Sequence, residues 1–198
     1  MCGGGIYVIR RGIITVLSKG LLLKKHLNSS IVIQKEWTRY ELKGKKAYIW
    51  MLARNGFSSQ GVEEQRIFNE LCREGLLVQT DIPNSYGMYY LLTSNILCVN
   101  RRKALRFPLR GLEKKIIQWL RGGKRKLSVE ELVFLIENDV NPIIYEDDVF
   151  GVALSERIYQ TRIHATNLLR KEMAVAKHRD ETVNAVLRLL KKNRLYLM

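Results

Sequence analysis

Long apolar runs are scarce in this sequence. None reaches the roughly 18–20 residues that a membrane-spanning helix requires. The run from Gly12 to Leu23 is interrupted by Ser18 and Lys19, and no small-residue cleavage pattern follows it. Membrane insertion and a secretory signal are therefore not expected. Cysteine is equally sparse: Cys2, Cys72 and Cys98 show no CxxC spacing, and His26, His164 and His178 form no ligand cluster with them. No metal site is expected. Cys72 and Cys98 lie in apolar surroundings and read as buried thiols of a reduced, cytoplasmic protein. Catalytic signatures are missing as well. No GxxxxGK[ST] motif occurs, Gly3–Gly5 precede a strand instead of joining a strand to a helix, and Ser58, Ser59 and Ser155 have no histidine in local register. Glu146, Asp147 and Asp148 lack the alternating ligand pattern of a calcium loop and read as a solvated insert. The expectation is a non-enzymatic protein without cofactor.

Basic charge is what the chain has in excess. Its 34 Lys and Arg against 19 Asp and Glu give a net charge of +15 over 198 residues. An excess of this size favours a polyanionic partner. Residues 1–50 carry ten basic and two acidic side chains, and residues 151–198 carry ten and four, whereas residues 51–100 are slightly acidic. With 46% hydrophobic residues the chain can bury one ordinary core or two small ones.

The pattern of residues predicts an α+β fold. IYVI, GIITVL and SSIVIQ read as strands separated by Arg10–Gly12, Ser18–Gly20 and Asn28–Ser30. Lys43 to Asn55 reads as a helix stopped by Asn55–Gly56, and Glu63 to Arg73 as a second with Ile67, Phe68 and Leu71 inward. Gly75 ends it, Leu76 to Gln79 forms a strand, and the turn at Asp81–Gly87 leads to a partner strand at Met88 to Thr93. Ile96 to Leu109 is the expected boundary, with Asn100–Lys103 a solvated turn and ALRFPLR a short strand.

Leu112 to Leu120 is amphipathic, with Leu112, Ile116, Trp119 and Leu120 on one side and Lys114, Lys115 and Gln118 on the other. Ser128 and Glu131 have the spacing of a capping box, ahead of Leu132, Val133, Leu135 and Ile136. A long helix is expected from about Ser155 to Ala176, then a helix from Thr182 to Leu190 and a strand at Leu195–Met198. EEQRIFNELCREGLLV and DETVNAVLRLLKKNRLYLM share an ending of helix, charged corner and apolar strand. The expected organisation is two tandem winged-helix-like modules. Residues 1–98 form the first, preceded by a small antiparallel sheet and suited to dimerisation or sensing. Residues 99–198 form the second, suited to DNA.

A DNA-reading helix must bury one stripe and present polar side chains to the major groove. Ile158, Ala165, Leu169 and Met173 approximate that stripe, leaving Arg157, Gln160, Thr161, His164, Asn167, Arg170 and Lys171 to face bases and phosphates. Lys191, Lys192 and Arg194 surround Asn193 before the last strand, where a wing tip would meet the phosphate backbone. Lys124, Arg125 and Lys126, between two helices, add candidate phosphate contacts.

Residues 105–198 resemble the winged-helix DNA-binding domain of OmpR/PhoB-type response regulators. PLRGLEKKIIQWL stands where the family has a strand and a Leu-Thr-x-x-Glu helix start, with Glu113 at the glutamate; KLSVEELVFLI matches its x-x-Ser-x-x-x-Leu element. Leu169 to Met173 match the end of its recognition helix, and NRLYLM its wing and final strand, without the wing glycine. The first 100 residues lack a receiver pattern, so the resemblance implies sequence-specific transcriptional control without conventional phosphorylation. Double-stranded DNA and a second copy of the chain are the implied partners, and the location is cytoplasmic, nucleoid-associated when bound to DNA.

In the first half, YELKGKKAYIWML followed by FNELCREGLLV is similar to PqqD-type peptide-recognition modules. These add the leader of a peptide as a strand to a three-stranded sheet. The resemblance implies an acidic protein or peptide partner, a groove supported by Ile31, Ile33, Tyr40, Tyr48 and Trp50, and charge selection by Lys35 and Arg39.

Overall fold

The computed structural model describes residues 14–59, 61–82, 84–93, 95–103, 109, 111–122, 127–137, 139 and 176–198. It is a mixed α/β fold of several short helices and small antiparallel sheets. The expected strand at residues 6–9, the acidic insert and all but Ala176 of the helix expected from Ser155 lie outside the described residues.

The fold is organised around β1, Ile14–Ser18, which pairs antiparallel with β5, Phe57–Ser59, on one side and β6, Leu77–Thr80, on the other. Side chains of a strand alternate between faces, so β1 serves two cores. Val16 packs with Ile31, Ile33, Trp50, Phe68 and Leu71, whereas Leu17 packs with Leu97, Trp119, Leu189 and Leu197. After β1 the chain bends at Gly20, whose φ is +95° and where a Cβ would lie 2.8 Å from the Ile33 side chain. Only glycine fits both conditions without displacement. The strands β2, Leu21–Lys25, β3, Ile31–Lys35, and β4, Thr38–Leu42, then form an antiparallel meander. The sequence pattern had identified β1 and β3. It had passed over β2, an unalternated LLLKK, and β4, whose TRYEL is mostly polar because it lies at a sheet edge.

Helix α1, Gly44–Leu52, continues into a short turn of 3-10 helix at Ala53–Asn55, and buries Ala47, Ile49 and Trp50 on the inner face of the meander. Helix α2, Val62–Arg73, carries Glu63 and Glu64 in its first turn, where carboxylates complement the helix dipole. It buries Ile67, Phe68 and Leu71 as expected. The strand expected at Met88 to Thr93 is instead part of helix α3, Asn84–Thr93. Tyr89, Tyr90 and Thr93 favour strands locally, but burial decides otherwise: Met88, Leu91 and Leu92 fall at helical spacing against the larger core. Gly87 brings this helix close to the preceding backbone, since a Cβ there would lie 2.1 Å from the Ile82 carbonyl oxygen.

Strand β7, Leu97–Val99, is followed by helix α4, Gly111–Gly122, helix α5, Val129–Glu137, helix α6, Arg179–Lys191, and strand β8, Leu195–Leu197. The capping box before α5 forms as the sequence indicates. Glu131 N–H donates to Ser128 Oγ at 3.2 Å, and Ser128 N–H donates to the Glu131 carboxylate at 2.7 Å. The residue division at 98/99 falls inside β7, which pairs with β8, and Leu17, Leu91 and Leu92 pack in one core with α4, α5 and α6.

Two local features recur along the chain. β7 is flanked by β8 and by Leu127, which bridges Leu97, much as β1 is flanked by β6 and β5. Both α2 and α6 end in a residue with positive φ, Gly75 at +67° and Asn193 at +55°. At the first, Gly75 N–H donates to the Cys72 carbonyl and Leu76 N–H to the Leu71 carbonyl. At the second, Asn193 N–H donates to the Leu190 carbonyl and Arg194 N–H to the Leu189 carbonyl. This is the same Schellman pair of bonds, and it turns each helix into its following strand.

Candidate functional site

At the basic corner expected to form a wing tip, Asn193 and Arg194 are buried, and Asn193 belongs to a fastening between distant segments. Arg54, 6% exposed, reaches from the turn after α1 to the C-terminus of α6. It donates to the Leu190 carbonyl, and at 3.0 Å to Asn193 Oδ1. Its guanidinium lies 5.7 Å from the centre of the Trp50 ring. Burial pushes its pKa down to about 10, so it remains charged at neutral pH. The charge is met by the negative end of the α6 dipole, the carbonyl and the Trp50 face. Asn193 extends the network: its Nδ2 donates to the Leu22 carbonyl at 3.0 Å, and its own carbonyl accepts from Asn100 Nδ2 at 2.8 Å. A glycine would supply the φ but none of the side-chain links.

This geometry corrects the wing-tip reading of Arg194, which is 6% exposed and belongs to the buried turn. Leu189 and Leu190 on α6 are core residues, and the last strand is drawn inward between β7 and the end of β1. Lys192 is half-exposed and bonded at 3.4 Å to Glu113, which Arg188 also contacts at 3.0 Å. Partial burial works against the Glu113 carboxylate, but the bonds from Arg188 and Lys192 prevail and hold its pKa below the ordinary value. Lys191 is exposed. Lys124, Arg125, Lys126, Arg157, Gln160, Thr161, His164, Asn167, Arg170 and Lys171 lie outside the described residues.

The β2–β3–β4 meander presents a different surface. β4 pairs with β3 along Thr38 to Leu42, and among the described residues no strand pairs with its other edge. Thr38, Arg39 and Glu41 are exposed on it. The Lys43 ammonium lies 3.3 Å from Glu41, Lys45 bonds Glu63 and Lys46 bonds Glu70 at 3.0 Å. Lys24, Lys25 and Arg39 are exposed and, among the described residues, make no ion pair. Among the described residues, the meander therefore offers an unpaired strand edge and positive charge without an ion-paired carboxylate.

Of the residues expected to support a peptide groove, Ile31, Ile33 and Trp50 are core, Trp50 donating through Nε1 to the Lys19 carbonyl at 3.2 Å. Tyr40 is half-buried against that core, and Tyr48 is 63% exposed on α1. Arg39 is available on β4. Lys35 instead lies over Gly75, its ammonium where a Cβ at that glycine would sit, beside the carbonyl-rich end of α2. Two exposed apolar residues escaped the sequence reading, Leu27 at the tip between β2 and β3 and Trp37, 97% exposed, between β3 and β4. Trp37 occupies a two-residue connection, since Lys35 faces Thr38 across the hairpin, with Glu36 at φ +52°. The shortness of that turn between QK and TRY was the available signal.

Among the described residues, no group of histidine, cysteine, aspartate and glutamate is placed to hold a metal ion, and no helix is long and apolar enough to cross a membrane. Free Cys72 is half-buried, and burial pushes its thiol pKa up, which makes it a poor nucleophile. No family model matches the chain, and no curated protein or solved structure matches it.

Proposed function

We propose that the chain is a non-catalytic recognition protein that binds an acidic peptide segment as a fourth strand on the outer edge of β4. The observation that carries this reading is the β2–β3–β4 meander itself. It is a three-stranded antiparallel sheet, packed on α1, with one edge unpaired by any described strand. Strand addition gains affinity from main-chain hydrogen bonds and selectivity from side chains on alternate positions. Arg39 on that edge, with Lys24 and Lys25 on β2 at the far side of the same sheet, supplies attraction for carboxylates. Amide hydrogen exchange with and without a saturating acidic peptide tests it. Slowed exchange at Thr38–Leu42 supports the mode, and unchanged exchange rejects it.

Recognition of double-stranded DNA by residues 156–173 is the second reading, favoured by the +15 charge and by the ten basic against four acidic side chains of residues 151–198. In it, the local features shared by β1 with α2 and β6, and by β7 with α6 and β8, support a tandem winged-helix-like arrangement. A second copy joined through the first half would align two reading helices with adjacent half-sites. Selection from random duplexes at several salt concentrations tests this reading. Binding that falls steeply with salt and selects a sequence supports it, and no duplex binding by the folded protein rejects it.

A further inference from the structure

A cleft of about 170 Å³ opens between the β2–β3 turn and α1. Ile31, Ala47 and Met51 give it apolar walls, Tyr48 flanks it, and Lys25 stands in its lining. Its volume is well below the roughly 300–1,000 Å³ of a small-molecule site, and suits one large side chain. The turn beside it is ordered: His26 N–H donates to the Ser30 carbonyl at 2.8 Å, and Ser30 Oγ donates to Asn28 Oδ1 at 2.9 Å. That turn nevertheless holds Leu27 fully in solvent. Leu27 and Tyr48 thus place exposed apolar surface around the cleft, while Lys24 and Lys25 supply positive charge that no carboxylate among the described residues pairs. Gly44, two residues beyond the end of β4, also lines the cleft, so a peptide following the β4 edge arrives at its mouth.

We infer that this cleft is an anchor pocket for one large apolar side chain of an acidic peptide, with Lys25 contacting a neighbouring carboxylate. The inference deepens the peptide-recognition reading and rests on it for the occupant. It limits the ligand to a segment that combines acidic residues with an aliphatic or aromatic anchor. A purely acidic polymer satisfies the charge but leaves the apolar walls wet. Burying a leucine-sized side chain corresponds to about tenfold to a hundredfold in affinity.

The test uses the full chain, a peptide of alternating glutamate and threonine with a single leucine, and its leucine-to-alanine counterpart. Binding is followed by titration, by the Met51 methyl resonance and by amide exchange along β4. The expected result is a Met51 shift with the leucine peptide only, and at least tenfold weaker binding of the alanine peptide. Tyr48→Ala is expected to narrow that difference, and Lys25→Glu to weaken both peptides. Gly44→Asn provides a variant independent of the core. Asparagine tolerates the positive φ of +55°, and its Cβ meets nothing within 4 Å. Its side chain occupies open space at the cleft and is expected to reduce leucine-peptide affinity several-fold. Protection of β4 with equal affinities and no Met51 shift overturns the anchor pocket and leaves strand addition standing. A leucine-dependent Met51 shift without β4 protection supports the pocket and overturns strand addition. Binding of neither peptide overturns both.

Discussion

The ends of α2 and α6 are made with the same two backbone bonds, yet they do opposite work. At the first, Gly75 supplies the left-handed residue and leaves room for Lys35 to lie across the helix end. At the second, Asn193 supplies the same geometry and then uses every polar group of its side chain and its carbonyl to join three distant segments. The N-terminal corner can change its surface at little structural cost. The C-terminal corner cannot, because Arg54 and Asn193 bind the first half of the chain to the last helix. Cationic residues near one helix end therefore carry no common meaning: Arg194 is buried structure, Lys192 is paired, and Lys191 is surface.

The sharpest way to break this contrast is to remove Arg54. Arg54→Ala leaves Asn193 Oδ1 without its charged donor and opens a cavity beside Trp50, and is expected to cost about 3 kcal/mol. Arg54→Met restores most of the volume and is expected to cost roughly half as much. Equilibrium urea unfolding measures both, and equal losses for the two variants would show that packing at this site contributes little and that the lost hydrogen bonds carry the effect. Exchange at the two corners comes next. Asn193→Gly retains the backbone geometry but loses the side-chain links, for an expected loss of about 1–2 kcal/mol. Gly75→Asn tolerates the same φ and needs only a shift of the flexible Lys35 tip, so its expected loss is below about 1 kcal/mol. The reverse order would contradict the assigned roles.

Glu113→Gln is expected to have a smaller effect, under about 1 kcal/mol, because its partners are half-exposed. Its sign with pH is fixed. The folded carboxyl has a lowered pKa, so its contribution is present above the ordinary value near 4.5 and is lost as pH falls through the folded value. The stability gap between wild type and Glu113→Gln should therefore be open at neutral pH and close in acid, as denaturation at successive pH values would record. Lys191→Glu is expected to alter stability by no more than about 0.5 kcal/mol.

Much of the helical framework was legible because its signals are local. Ser128 with Glu131 specified a capping box, and Ile67, Phe68 and Leu71 specified the buried face of α2. The shared ending of the two halves was visible as CREGLLV and KKNRLYL, although sequence alone gave Asn193 no role beyond a turn. What was misread depended on distant contacts. MYYLLT has strand-forming residues, and only the core beneath it makes it helical. Arg54 and Arg194 look like surface charges until residues far apart in sequence meet around them. The candidate peptide surface was partly legible in Arg39 and Tyr48. The cleft was not, because it arises where the β2–β3 turn meets α1.

Amide hydrogen exchange across Thr38–Leu42, with the acidic leucine-containing peptide at saturation, tests the proposed recognition mode most directly. The account predicts slower exchange at alternate amides of β4, those facing the added strand. Exchange in β4 that is unchanged by a demonstrably bound peptide would contradict it.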